Sequence, residues 1–459
     1  MSEQPPTATT RRPNVLFILA DDLGWNDVSF HNAPIRTPQL DWLARNGIEL
    51  THHYVCPLCT PTRVSLLTGR HPARFGPHAT RPSNPPVLPD GYQTLASALR
   101  DAGYDTGLFG KWHLGSDPRF GPHNYGFDYA YGSLAGGVDP YNHCYKRGPH
   151  SQTWHRNGER VDERGHVTDL ITDEAIRWIH ERPLAAGEDH AGNDRPWFCY
   201  VPFTAVHTPI KPPQNWIGRY HGETYDAVAE RDRSFKMYAA YASHMDHNVG
   251  RLVEAVAERE ELENTIIVFS SDNGAFTEDP TGNDVSQYPG RQEALPRLGS
   301  NAPLRGRKGQ MYEGGIRTPT LIHWAGTLAP GKVDTPMQIV DWMPTLLSLI
   351  DHTPSDDPQW DGRDIWPAIT GQAPTDDQRV LYWNLSDNRF AVRRGRWKLI
   401  VHDAAARAED CELFDLDADP YETTDLSPNE PDRVRDLLEV LRDQRQYDGI
   451  SQRADAPTP

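Results

Sequence analysis

Apolar and polar positions alternate in three ways along the first three-quarters of this chain, and each pattern predicts a different element. Short runs rich in apolar residues at 14–20, 104–109, 197–203, 265–269 and 320–324 read as strands. The first is apolar from Val15 to Ala20, as expected of a strand buried on both faces of a parallel sheet. Apolar residues at helical spacing mark helices. One opens at Thr37-Pro38, carries Leu40, Leu43 and Ala44, and ends near Gly47. Others cover 94–102, stopped by Gly103, then 167–181 and 341–350. The clearest covers 237–259, where Tyr241, Met245, Val249, Leu252, Val253 and Val256 repeat along one face. Between these lie the Pro-rich stretch 82–89 and two long polar regions, 110–149 and 274–315, which read as loops. Alternating strands and helices imply an α/β layered sheet.

After about residue 371 the texture changes. Residues 379–383, 388–393, 397–401 and 412–415 read as short antiparallel strands, and 431–446 as a closing helix. The expected organisation is therefore a disordered N-terminus over 1–12, a main domain over 13–370, and a small α+β subdomain over 371–459.

Charge and composition narrow the function. The 459 residues carry a formal net charge of −18, which argues against nucleic acid as a main partner. No stretch is long enough to span a bilayer, so no membrane partner is expected. Arg11-Arg12 precedes the apolar run at 15–20, but that run is short and ends in Asp21-Asp22, so it does not serve as an export signal. As the sequence stands, the expectation is a cytoplasmic protein, or a periplasmic or secreted one if a leader preceded it. Five scattered cysteines, Cys56, Cys59, Cys144, Cys199 and Cys411, make no disulfide framework.

The chemistry concentrates in Cys59-Thr60-Pro61-Thr62-Arg63 and the Thr68-Gly69-Arg70 that follows. Pro61 suits a first helical turn, Thr60 can cap it, and Gly69 can end the helix. Cys59 then sits just ahead of a helix N-terminus, where N–H groups and the dipole favour an anion, with Arg63 one turn on. The bland readings are a buried structural cysteine, or a redox pair with Cys56. Four predicted strand ends also deliver polar groups: Asp21-Asp22, Lys111 and His113, His207, and Asp272-Asn273. Ligands of open α/β sheets bind beyond the carboxyl ends of the strands. Asp21, Asp22, Asp272 and Asn273 form an oxygen-only set suited to a hard divalent cation, with Ca2+ favoured over Mg2+ and zinc disfavoured. Taken singly, the Asp pair could cap a helix and Asp272-Asn273-Gly274 could form a turn. Lys308, in a Gly-rich basic run, could equally be a surface cation.

The Cys-x-Pro-x-Arg pattern followed by Thr-Gly-Arg resembles the signature of the type I sulfatases. The opening strand with Asp21-Asp22, the 110–115 segment, the His207 loop, 271–274 and Lys308 follow in the order of that family. Stretches 19–30, 36–50 and 57–70 look particularly like the arylsulfatase B group, the N-acetylgalactosamine-4-sulfatases. The resemblance implies an alkaline phosphatase-like α/β fold, with a large mixed, mostly parallel sheet sandwiched by helices. It implies that Cys59 is oxidised to Cα-formylglycine by a formylglycine-generating enzyme, and that the aldehyde hydrate is the nucleophile. It further implies one Ca2+ held by Asp21, Asp22, Asp272, Asn273 and the modified Cys59, with Arg63 holding the hydrate. Lys111, His207 and Lys308 would contact sulfate, and His113 would assist release. The substrate would be a small-molecule or oligosaccharide sulfate ester. The mix of aromatic and polar residues at Tyr129, Tyr131, Asp139, Tyr141, His143 and Trp154 suits a sugar ring, cut at a chain end. The competing readings are an aryl or alkyl sulfatase, a formylglycine-dependent phosphonate monoester or phosphodiester hydrolase, and a catalytically dead glycan-binding protein.

Overall fold

The computed structural model describes residues 11–183, 195–277, 285–296, 298–352, 359–373, 376–386 and 388–449. In chain order its first strands are β1 Asn14–Ala20, β2 Ile48–Leu50, β3 His53–Tyr54, β4 Asp105–Lys111, β5 Tyr129–Ser133 and β6 Trp154–Arg156. There follow β7 Glu159–Arg160, β8 Trp197–Pro202, β9 Thr265–Ser271, β10 Leu321–His323, β11 Gly331–Val333 and β12 Met337–Gln338. Ten of them form one sheet in the order β11-β2-β10-β9-β1-β8-β4-β5-β6-β7, and β3 pairs with β12. Strands β9, β1, β8, β4 and β5 run parallel, while β10 opposes both of its neighbours and β6 opposes β5.

Helices cover both faces because the side chains of β1 alternate between two cores. Val15, Phe17 and Leu19 pack with α2 (Cys59–Thr68), α3 (Leu95–Asp101) and the later Trp342–Ser348 helix. Leu16, Ile18 and Ala20 pack with α1 (Pro38–Asn46), α4 (Val167–His180) and α5 (Ala229–Glu258). A strand between two apolar layers has no polar face, so the 15–20 run is continuous. The helix expected over 237–259 begins earlier, at Ala229. Its first turns are polar, and Glu230 and Asp232 complement the dipole there, so no apolar periodicity announces them. The 110–149 region is not one loop. It contains β5, whose Tyr-Ala-Tyr-Gly-Ser sequence shows neither a long apolar run nor alternation, yet pairs residue by residue with β4.

The C-terminal strands β13 Val380–Leu385, β14 Arg389–Arg394, β15 Trp397–Val401 and β16 Cys411–Asp415 form a consecutive antiparallel sheet. One face packs on Val434, Leu437 and Leu441 of the closing Pro431–Arg445 helix. The other packs on Tyr54, Met311 and Ile316 of the main body. Of the N-terminus expected to be disordered, only Arg11 and Arg12 lie within the described residues. There Arg12 donates to the Ala102 carbonyl at 2.5 Å and Arg11 lies 3.8 Å from Glu261. Among the described residues no helix is long and apolar enough to cross a membrane.

Candidate active site

Strand register builds the site. Ala20 of β1 lies opposite Ser271 of β9, so Asp21-Asp22 and Asp272-Asn273 leave the sheet side by side. Asp272 N–H donates to the Ala20 carbonyl, and the Asp22 N–H to Asp272 Oδ1 at 3.2 Å. β4 ends in Lys111, one strand beyond β8, and the chain after β8 brings His207 to the same rim. Asp22 and His113 both have left-handed backbone, with φ of 65° and 60°. For non-glycine residues this conformation costs energy and persists where surrounding bonds hold it.

Cys59 is the first residue of α2, not the residue before it. The N-cap is Leu58 and no side chain caps the helix. Thr60 instead donates to the His113 carbonyl at 3.2 Å, which ties the helix start to the β4 rim. Thr62, which sequence reasoning passed over, donates to the Asp272 carbonyl at 2.6 Å and accepts the Cys56 N–H. Arg63 is fully buried. Its guanidinium reaches Asp272 Oδ2 at 2.7 Å and the Lys111 carbonyl at 2.8 Å. All five cysteines are free, and the Cys56 thiol lies 3.5 Å from the Ser65 hydroxyl. Burial pushes that thiol up to about 12, which disfavours a redox role.

The charges are matched across the rim. Lys111 Nζ lies 2.6 Å from Asp21 Oδ2, and Lys308 Nζ 2.5 Å from Asp22 Oδ1. Asn273 donates to Asp22 Oδ1 at 2.7 Å. Burial and the Asp272 carboxylate push the Asp21 carboxyl up to about 8, against the pull of Lys111. Despite burial, Lys308 holds Asp22 well below the ordinary carboxylate range. Burial, reinforced by Lys111 and Arg63, keeps His113 neutral. Burial and Lys308 bring His207 down to about 3, against Asp22. Burial raises the Cys59 thiol, opposed by Lys111 and Lys308.

Two acceptors in this cage are buried without a hydrogen-bond partner among the described residues: Asp21 Oδ1 and Asn273 Oδ1. A buried acceptor left unpaired costs about 1–3 kcal/mol, and a cation would satisfy both. Oxygens of Asp21 and Asp272 and the Cys59 sulfur lie within 4.8 Å of one another, so the donor set fits a cation beside Cys59. Arg63 Nε and His113 Nδ1 are likewise buried and unpartnered. All ten residues expected to hold the metal or act on the sulfate converge here.

Glycines set two close approaches that the sequence did not announce. A Cβ at Gly136 would lie 2.2 Å from His113 Nε2, and one at Gly274 would lie 1.8 Å from the Gly314 carbonyl oxygen. Lys308 is held by its N–H to the Ala275 carbonyl, and Asn301 braces both Ala275 and Gly306. Above the cage opens a cleft of about 230 Å3, lined by Asp22, Leu58, Lys146, His207, Tyr288 and Lys308 among others.

Most of the aromatics expected to receive a sugar do other work. Tyr129 stacks on Phe109 and bonds Glu174, Tyr131 packs edge-on against Trp154, and His143 bonds the Gly165 carbonyl. Asp139 pairs with Lys211 at 2.5 Å and caps the turn at Tyr141 and Asn142. A further histidine cluster, His166, Asp169 and His244, lies on α4 and α5. There both His166 nitrogens are taken, Nδ1 by the Thr168 N–H and Nε2 by the Lys211 carbonyl, so it serves as a helix cap.

Such a rim suits hydrolysis of an ester of a tetrahedral oxyanion. Residues 13–352 match the Sulfatase family, and residues 307–446 match the family N-sulphoglucosamine sulphohydrolase, C-terminal. The chain belongs to the sulfatase family and is a sulfuric ester hydrolase. It is 32% identical to arylsulfatase J of Mus musculus over 95% of this chain and 76% of that protein. It is also 32% identical to N-acetylgalactosamine-6-sulfatase of Canis lupus familiaris, over 84% and 71%. The solved structure of Ps i-CgsB in complex with k-i-k-neocarrahexaose superposes with a TM-score of 0.81 at 28% identity, over 96% of this chain and 94% of that one. Phosphonate monoester hydrolase of Agrobacterium radiobacter, 20% identical with a TM-score of 0.65, shares the fold.

Proposed function

We propose that this protein hydrolyses the sulfate ester of a sulfated carbohydrate at a chain end, using formylglycine made from Cys59 and one calcium ion. The observation that carries this reading is the pair of orphaned acceptors, Asp21 Oδ1 and Asn273 Oδ1, beside Cys59 at a helix N-terminus. The carbohydrate part is supported by the relatives named N-acetylgalactosamine-6-sulfatase and by the k-i-k-neocarrahexaose in the complex of the structural neighbour. The chain-end part is supported by the size of the cleft, about 230 Å3, below the ~300–1,000 Å3 usual for ligand pockets. The domain reading, a catalytic part over 13–370 and a subdomain over 371–459, belongs to the same proposal.

Asp21, Asp22, Asp272 and Asn273 would hold the ion, an all-oxygen set that suits calcium. When bound, calcium supplies positive charge to the sulfate oxygens and to the nucleophile. A formylglycine-generating enzyme supplies the aldehyde, whose hydrate has the second hydroxyl that a serine lacks, so sulfate can be expelled by C–O cleavage. Arg63, anchored on Asp272 and the Lys111 carbonyl with Nε unpartnered among the described residues, would fix the side chain of residue 59. Lys111 and Lys308 place fixed charge where the sulfuryl oxygens develop theirs. His113, neutral and with Nδ1 unpartnered, takes a proton during release. His207 bonds the Thr208 carbonyl through Nδ1 and lines the cleft; the negative charge of a bound sulfate would favour its imidazolium, whose Nε2–H then serves the leaving oxygen.

The test is the mass of the Cys59 peptide together with rates on sulfated sugars, 4-nitrophenyl sulfate and a phenylphosphonate ester. Formylglycine at residue 59 and preference for a sugar sulfate are expected. An active enzyme with an intact Cys59 thiol, or one fastest on the phosphonate, overturns the reading. Parallel assays on galactosamine 4- and 6-sulfates assign the position.

A further inference from the structure

The basic side chains of the cleft are not equivalent. Lys308 is paired with Asp22 at 2.5 Å, and His207 Nε2 lies 4.0 Å from the same residue. Lys146 lines the same cleft but, among the described residues, has neither a carboxylate nor a hydrogen-bond partner. Its ammonium sits over the Tyr145 ring, 5.9 Å from the centroid. The Tyr145 ring in turn meets Tyr288 edge-on at 5.9 Å. Tyr288 is 2% exposed and lines the cleft, and its hydroxyl is buried behind the cleft wall with no partner among the described residues. Lys146 and Tyr288, bridged by the Tyr145 ring, therefore give one side of the cleft a cation and a hydroxyl that have no anionic partner among the described residues.

We propose that this wall is a second anion subsite, which takes a carboxylate or a further sulfate carried by the substrate besides the sulfate that is cleaved. A buried phenol donor ordinarily finds a partner, so its idleness points to a group absent from the protein itself. On a chain of net charge −18, a lysine that lines a catalytic cleft with no carboxylate partner among the described residues attracts anions that the rest of the surface repels. Lysine presents a point charge with rotatable donors, so it accepts either anion without demanding one planar geometry. The site thus selects multiply acidic sugars over singly sulfated ones. This inference rests on the proposed sulfatase function.

The experiment uses the full-length, formylglycine-bearing enzyme and three probes: N-acetylgalactosamine 6-sulfate, its 4,6-disulfate, and the 6-sulfate joined to glucuronate. Sulfate release is followed at low and at raised salt. The expected result is a higher kcat/KM for one doubly acidic probe, carried mainly in KM and reduced by salt. Lys146→Met should lower that preference about fivefold, Lys146→Arg should retain it, and Tyr288→Phe should lower it less. The probe preferred, disulfate or uronate, identifies the second anion. Equal preference in the wild type, or a preference that Lys146→Met leaves intact, overturns the subsite. If none of the probes releases sulfate, the proposed function fails instead, which is a separate outcome.

Discussion

Two buried charge clusters in this protein differ in how completely they close. At the sheet rim, Asp21, Asp22 and Asp272 face Lys111, Lys308 and Arg63, yet Asp21 Oδ1 and Asn273 Oδ1 stay unpaired beside a cleft. Where the C-terminal sheet meets the main body, Lys398 of β15 lies 2.8 Å from both Glu313 and Glu422. Glu313 also accepts from Tyr54 at 2.8 Å and gives its N–H to Glu422 at 2.7 Å. There three of the four carboxylate oxygens accept a hydrogen bond, and the fourth, Glu422 Oε1, makes none but faces the Lys398 ammonium at 2.8 Å. A cluster that satisfies itself is built to hold two parts together. A cluster that leaves acceptors bare beside a nucleophile position is built for a ligand. The two connect through one segment: Glu313 precedes Gly314 and Gly315, whose carbonyls crowd and bond Gly274 next to Asn273.

The sharpest way to break this contrast is to remove one member from each cluster. Cys59→Ala should abolish turnover with Tm unchanged, because a small side chain there leaves the packing intact. Asp272→Ala should remove calcium and turnover together, since it also strips Arg63 of its partner. Bound calcium measured by elemental analysis beside kcat checks this, and a chelated enzyme at full rate would refute it. Lys398→Met should do the reverse. It leaves two buried carboxylates facing each other and should cost about 3–5 kcal/mol of stability, read by denaturant unfolding. Full stability in Lys398→Met would mean that the junction does not hold the sheet.

Within the rim, the expected loss for Lys308→Ala is about a hundredfold in kcat/KM, by comparison with loss of an oxyanion-hole donor. His207→Ala sharpens the assignment of the leaving-group proton. Its loss should be far greater on a sugar sulfate than on 4-nitrophenyl sulfate, whose leaving group needs no proton. Equal losses on both would give that role to another residue.

The rim was legible in the sequence because strand ends carry their own signal. An apolar run that stops at Asp21-Asp22 and another that stops shortly before Asp272-Asn273 already place four oxygen donors on one edge. The Cys59 helix was legible apart from its cap, because Leu58 rather than a hydroxyl residue occupies that position. The junction was not legible. Glu313, Lys398 and Glu422 are 85 and 109 residues apart from Glu313 outward, and nothing local marks them as partners. The cleft wall was misjudged for a related reason: Tyr129, Tyr131 and Trp154 look as free as Tyr145 in sequence, and only the pairing of β5 with β4 and β6 turns them towards the core.

The smallest expected effect concerns how two carboxylates share Lys398. Burial, with Glu313 nearby, raises Glu422 to about 7 against the pull of Lys398, whereas Lys398 and Arg317 bring Glu313 down to about 2 despite burial. The signs are opposite. Glu313, lowered, contributes stability that is present above its ordinary 4.5 and is lost as pH falls towards 2. Glu422, raised, contributes stability that is fully present below its ordinary 4.5 and is lost as pH rises through 7. Glu422→Gln keeps an oxygen for the Glu313 N–H and removes the second titration. Its Tm relative to the wild type should therefore rise between about pH 5 and about pH 8, with the gain largest at the alkaline end. Calorimetry at those two pH values, with kcat as a control for the rim, reads this directly. A Tm difference that does not change with pH would mean that Glu422 is ionised throughout and that Lys398 balances both carboxylates.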